Sequence, residues 1–170
     1  MVIQKITPAQ IELYLQLKLN LFRETKFMAY EAEEISETGV DKYQTKLLNL
    51  LGSPVTLALG AFDGDNLIGS LELMGNSHKK WRHKAKLLMG VRASHQGRGI
   101  GRSLLEKALS LSSHHKIELT VVANNGSAFT LYESVGFLTE GLIRDSILID
   151  GKLFDEIQMG LVLSDENYKN

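Results

Sequence analysis

The chain contains no cysteine. That absence excludes a disulfide framework, a cysteine-ligated zinc site and a catalytic thiol of its own, and it fits a reducing compartment. There is no strong excess of either charge, since 19 Lys and Arg against 20 Asp and Glu leave a formal net charge of -1. No global field therefore draws nucleic acid or an anionic membrane, and any charged ligand has to be recognised locally. No apolar run approaches the roughly 18 residues of a membrane span, and the first residues lack the apolar stretch of a secretion signal. The expectation is a soluble, cytoplasmic protein that binds neither nucleic acid nor membrane. Repeats, low-complexity tracts and linkers are missing as well. What is there is 170 residues, 44% hydrophobic, enough for one domain with a real core and too few for two of ordinary size. One domain is expected over residues 1–164, followed by a polar tail at 165–170.

Thr7-Pro8-Ala9-Gln10 combines an N-cap acceptor, a proline at the first helical position and a glutamine that can reach back. A helix is expected from there to about Phe22, with Ile11, Leu15, Leu19 and Phe22 on one face. Residues 26–34 lack periodicity and read as an acidic loop; a second helix follows on Val40, Tyr43, Leu47 and Leu51 and ends at Gly52. Residues 55–62 and 67–74 are strand-like runs around the turn Asp63-Gly64-Asp65-Asn66, which predicts an antiparallel hairpin. A strand over about 85–91, a helix on Ile100, Leu104, Leu105, Ala108 and Leu111, and a strand over 117–123 make a parallel strand, helix, strand unit. Ala128, Leu131, Tyr132 and Val135 mark a short helix closed by Gly136, and two last strands, about 137–149 and 152–163, flank Asp150-Gly151. The fold class is α/β (α+β), with a mixed, mostly antiparallel sheet of about six to seven strands and helices on both faces.

Between the third strand and its helix lies VRASHQGRGIGRSLL, with glycines at 97, 99 and 101. A strand, alternating glycines and a helix N-terminus suit a phosphate, because bare amides converge there and the helix dipole adds positive potential. Glycine also lets a ligand approach the backbone closely. No GxxxxGK[ST] segment is present, and Arg102 stands where a dinucleotide fingerprint needs its third glycine. By pattern alone, a tight connection with no ligand remains the alternative.

Val91, four residues, and then Gln96-Gly97-Arg98-Gly99-Ile100-Gly101 resembles the acyl-CoA pyrophosphate loop of the GNAT superfamily of N-acyltransferases, Q/R-x-x-G-x-G/A. Asn125 to Phe137, NGSAFTLYESVGF, is similar to the second signature of that family, N-x-x-A-x-x-LYE-x-x-GF, at the expected distance downstream. Glu140-Gly141, Arg144, Asp150-Gly151, Asp155 and Met159 resemble the ending of a common bacterial branch. The two motifs cover roughly the C-terminal half, and the N-terminal half matches only loosely. The resemblance implies the GNAT fold with splayed central strands and an N-acetyltransferase that moves acetyl from acetyl-CoA directly to a primary amine in a ternary complex.

The resemblance also assigns roles. The backbone around Gln96, Gly97, Arg98, Gly99, Ile100 and Gly101 would hold the pyrophosphate without a metal, with Arg98 and Arg102 adding charge outside. The alternative for both arginines is a solvated helix start. Backbone groups of Met89, Gly90 and Val91 would grip the pantetheine amides. Asn125 resembles a pantetheine-binding asparagine, against ordinary helix capping. Tyr132 would hydrogen-bond the cofactor sulfur and protonate the departing thiolate, against a role as core packing. In related sequences a carboxylate on or near the third strand drains protons from the amine, but Lys86 stands where a glutamate is common. Glu72, on the preceding strand, and His83 are the base candidates, against a solvent-facing position and a surface histidine. His114 and His115 are adjacent and His78 and His83 lie in a polar loop, so no metal is expected.

Acceptor choice in this fold depends on the segment between the first helices and on the last hairpin, which here carry Glu31, Glu33, Glu34, Asp145 and Asp155. Acids at a pocket mouth favour cationic amines on small molecules or peptides, and a solvated acidic face is the alternative. A homodimer is compatible with this reading. The rival function is a CoA-binding or regulatory module that has lost catalysis.

Overall fold

The computed structural model describes residues 1–28 and 30–163. The polar tail expected at 165–170 lies outside the described residues. The chain falls into two compact units, one made of Met1–Glu72 with Met89–Leu111 and the other of Leu73–Leu88 with the residues from Ser112 onward. Among the described residues, seven strands form one mixed sheet in the order β1-β2-β3-β4-β5-β7-β6.

The first unit opens on a strand that no sequence pattern marks, β1 (Val2–Lys5), antiparallel to β2 (Thr56–Asp63) from Val2↔Phe62 to Lys5↔Leu59. Four residues are too few to show an alternation, and Val2 is exposed. Thr7 and Gln10 then start the first helix much as expected, Gln10 Oε1 accepting from the Thr7 amide at 2.9 Å. The first turn, Pro8–Gln10, is 3-10, and α1 runs Ile11–Glu24.

The expected acidic loop holds another helix, α2 (Ala32–Thr38), so three helices rather than two open the chain. Its start is a local device: Glu34 reaches back to accept the Glu31 amide at 2.8 Å. Its end is Gly39 at φ +98, and Ile35 is its buried anchor. Seven residues are too short to reveal a 3.6 period. α3 spans Val40–Gly52 as predicted.

Ala58 and Phe62 of β2 join Tyr14, Leu17 and Leu21 of α1, Ile35 of α2, and Tyr43 and Leu47 of α3 in one apolar cluster. Leu59 and Ala61, equally buried, point to the opposite face of the strand, where α4 (Ile100–Leu111) packs. Helices thus cover both faces of β2. β3 (Asn66–Gly75) follows β2 through the Gly64 turn.

In the second unit, the first residues of β4 (Lys84–Val91) pair in parallel with β5 (Lys116–Val122) over Lys84↔Lys116 to Lys86↔Glu118. β5 pairs antiparallel with β7 (Lys152–Val162) along seven positions. α5 (Gly126–Ser134) leads to β6 (Leu138–Ile149), the edge strand, which pairs with β7 through a turn at Asp150-Gly151. Register shifts between Thr139 and Gly141 and between Ile143 and Ile147 interrupt that edge. Ile117, Leu119, Phe137 and Met159 are among the buried side chains of this unit.

Gly39 and Gly52 make a controlled pair, since a Cβ meets nothing at either site and only Gly39 has positive φ. Gly39→Ala is expected to lower unfolding free energy by about 1–3 kcal/mol through backbone strain. Gly52→Ala is expected to cost nothing, and denaturant midpoints of the two variants check this.

Candidate active site

β4 ends in Met89, Gly90 and Val91, all half-buried. A Cβ on Gly90 would sit 2.7 Å from Leu21 Cδ1, so bare backbone is what lets α1 approach here. After Val91 the chain makes one 3-10 turn, Ala93–His95, and Gln96 folds back so that its Nε2 donates to the Val91 carbonyl at 3.0 Å. The turn is clamped from α1: the Glu24 carboxylate accepts from Arg92 Nε at 2.6 Å and from the Ala93 amide at 2.8 Å. Nothing in the sequence signals Glu24, because its partners lie more than sixty positions away.

Gly97 and Gly99 have φ +72 and +77, and a Cβ at either would meet no atom within 4 Å. The glycines are required by conformation, and the space over them is open. Ile100 is buried at the start of α4, and the Ser103 amide donates to Gly99 O at 3.0 Å. The amides of Ile100 and Gly101 precede it in the first turn, where a helix has no internal acceptors. Free amides, the dipole and open space together suit a phosphate-sized anion. Arg98 is exposed, and Arg102 Nη1 lies 3.5 Å from Glu106 Oε1, which turns part of its charge along the helix.

In the second unit, Asn125 caps α5, its Oδ1 accepting from the Ala128 amide at 3.4 Å and from Ser127 Oγ at 3.2 Å. Tyr132 is buried in that helix, its ring edge-on to Phe137 with centroids 5.8 Å apart. Burial pushes its phenol up to about 12. Tyr132 therefore keeps its proton through neutral and moderately alkaline pH.

Glu72 does not face solvent: it is fully buried on β3. Its Oε1 accepts from the Tyr14 hydroxyl at 2.6 Å and its Oε2 from Lys18 Nζ at 2.9 Å, with Lys18 itself 2% exposed. The inner face of α1 is thus rotated from the predicted one. Tyr14, Leu17, Lys18 and Leu21 are its most buried residues, while Ile11 and Leu19 are only partly covered. A lysine reads as an outer position by type, yet here a carboxylate waits across the interface. Burial first, and then the Glu72 charge, push the Tyr14 and Tyr43 phenols far above the ordinary tyrosine range. His83 precedes β4, and its carbonyl accepts from the amides of His115 at 2.8 Å and Lys116 at 3.1 Å.

A buried ion pair that loses one partner leaves an uncompensated charge, which costs about 3–5 kcal/mol. Lys18→Met is expected to destabilise the protein by that amount in denaturant unfolding. Adding Glu72→Gln should restore part of the loss, because the stranded charge is then gone.

Residues 19–137 match the model of the acetyltransferase (GNAT) family. Over 103 residues the chain is 34% identical to the spermidine N(1)-acetyltransferase of Vibrio cholerae serotype O1, covering 58% of each protein. It is also 34% identical over 103 residues to the N-alpha-acetyltransferase RimI of Mycobacterium tuberculosis, covering 59% of this chain and 64% of that one. The matched region thus spans about three fifths of the length of these curated relatives. The fold superimposes on a Salmonella typhimurium structure that contains acetyl-CoA, with a TM-score of 0.82 and 18% identity over 100% of this chain and 98% of that one. With the glycine turn, the α4 amides and the mixed seven-stranded sheet in place and a family match over most of its length, the chain belongs to the GNAT acetyltransferase family.

Proposed function

We propose that the protein is an acetyl-CoA-dependent N-acetyltransferase that passes the acetyl group directly to a primary amine in a ternary complex. The observation that carries this reading is the Gly97 to Gly99 turn. Both glycines stand at positive φ beneath open space and lead into the first turn of α4, an arrangement that suits the cofactor pyrophosphate. The relatives support the class, one being named for acetylation of spermidine and another for N-alpha-acetylation. The Salmonella structure, which holds acetyl-CoA, supports that choice of cofactor.

In this mechanism the amine nitrogen attacks the thioester carbonyl carbon, forming the C–N bond. The C–S bond then breaks, and Tyr132 gives its hydroxyl proton to the leaving thiolate. With no cysteine to carry the acyl group as a thioester, direct attack is the simpler route. Asn125, at the start of α5, and the backbone of Met89, Gly90 and Val91 are assigned to the pantetheine arm, and Arg98 and Arg102 to the outer phosphates. Glu72 and His83 are the base candidates in this reading, and both oxygens of Glu72 are already held, by Tyr14 and Lys18. A cationic acceptor, a polyamine or a peptide N-terminus, suits the acids of the α1–α3 segment, where Glu31, Glu33 and Glu34 are exposed.

Acetyl-CoA at about 100 times its dissociation constant should stabilise the protein by about 2.7 kcal/mol. Gly99→Val should abolish that gain while the apo protein still folds, since a branched side chain at positive φ both strains the turn and fills the open space. A full gain in the variant would remove the turn from the site.

Tyr132→Phe keeps the ring against Phe137 and deletes the proton. Acetyl-CoA affinity should change little while the turnover number falls by roughly 10²- to 10⁴-fold. Single-turnover kinetics should show the same loss, which excludes slow product release as its source. The rival reading, a CoA-binding module without catalysis, is favoured by the burial of Tyr132 and its contact with Phe137. It expects cofactor binding with no thiol release for any amine offered.

A further inference from the structure

Charge is evenly matched over the whole chain and unevenly placed along it. No Asp or Glu occurs between Glu72 and Glu106, and five of the eight residues 79–86 are Lys or Arg. Most of that density falls in the connection before β4. There the amides of Trp81 and Arg82 both donate to His78 O at 2.9 Å, closing a single turn that presents Lys79, Lys80, Trp81 and Arg82 outward. Two other lysines of the same unit are neutralised: Lys84 lies 2.8 Å from Glu118 and Lys116 2.7 Å from Glu140. Among the described residues, no carboxylate pairs with Lys79, Lys80, Arg82 or Lys86, and all four are exposed. In their midst stands Trp81, 55% exposed, its ring perpendicular to that of His78 at 6.3 Å. The turn thus presents an aromatic face and several unpaired cations side by side to solvent.

We infer that the Lys79–Arg82 turn is a docking surface for single-stranded nucleic acid, with a base stacked on Trp81 and backbone phosphates on Lys79, Lys80, Arg82 and Lys86. An aromatic platform beside several cations is how sequence-tolerant single-strand binding is built. Phosphates supply the missing counter-charge, and a base supplies a flat partner for the indole. A lipid surface suits the turn less well, since Trp81 is its one large apolar side chain and its neighbours Asn76, Ser77 and His78 are polar. The inference stands apart from the acetyl-transfer reading, because it uses neither the glycine turn nor α5.

Trp81 is the only tryptophan in the chain, so intrinsic fluorescence reports on this site alone. The intact protein, saturated with CoA to fill the glycine turn, is titrated with an oligouridylate of about 12 nucleotides. Emission should be quenched, and the logarithm of the association constant should fall against the logarithm of salt concentration with a slope of about -3, from four phosphate contacts. Combining Lys79→Ala, Lys80→Ala and Arg82→Ala should reduce that slope to about -0.7. With a labelled oligonucleotide followed by anisotropy, Trp81→Ala should bind roughly 5- to 150-fold more weakly. Circular dichroism should show both variants folded. Unquenched emission overturns the inference. So does a blue shift with phosphatidylglycerol vesicles and none of these effects with the oligonucleotide, which would make the turn a membrane contact. Equal affinity for polyglutamate would leave only a general attraction for polyanions and would also overturn it. None of these readouts requires acetyl transfer, so failure here and failure of the enzymatic reading are separate events.

Discussion

Glu72 sits on β3 with no exposure to water, and a carboxylate there is tolerable only because both of its oxygens are occupied from one helix. Tyr14 and Lys18 are four residues apart, so the two bonds fix the rotation of α1 about its axis as well as its height over the strand. That rotation carries along the rest of the face. Leu21 comes down on Gly90, where the missing side chain leaves room, and Glu24 reaches Arg92 and Ala93 at the entry to the glycine turn. Four side chains between Tyr14 and Glu24, about 15 Å of helix, thus tie a buried charge in the core to the backbone that would hold a cofactor.

The glycine turn depends on that support from outside and on conformation from within. Gly97 and Gly99 adopt backbone angles that other residues rarely reach, and their surroundings are empty. Gln96, which the resemblance places in the cofactor loop, spends its amide on Val91 O. The side chain braces the turn while the backbone faces outward, a division of labour suited to a site that recognises phosphate through amides. Burial raises the Tyr132 phenol and holds its proton in place. Several acids noted in the sequence also have local structural partners. Glu34 caps α2, and Asp155 accepts from the amide of Asp145, which stands at φ +50 in the irregular part of the last hairpin.

The sequence by itself determined the elements with strong local signals: the capped start before α1, α3 and α4 from their periodicity, the hairpins at Gly64 and Gly151, and the strand, turn and helix that hold the glycines. Each is governed by interactions within a few residues, which a linear reading can see. It left β1 and α2 unmarked because four- and seven-residue elements are too short to display a period. It placed Leu15 and Phe22 of α1 correctly inside but missed Tyr14, Leu17 and Lys18, around which the inner face is centred. Lys18 is polar by type, and only the presence of Glu72 fifty-four positions away makes the interior its favourable place. Glu24 was invisible for the same reason. What tertiary structure alone decided is which charges are paired and which stay free: Lys18 inside against Glu72, Lys84 against Glu118, and Lys79, Lys80 and Arg82 left facing water. Composition counts those charges equally, whereas Coulomb attraction and the cost of desolvation depend on distance and burial, which exist only once the chain has folded.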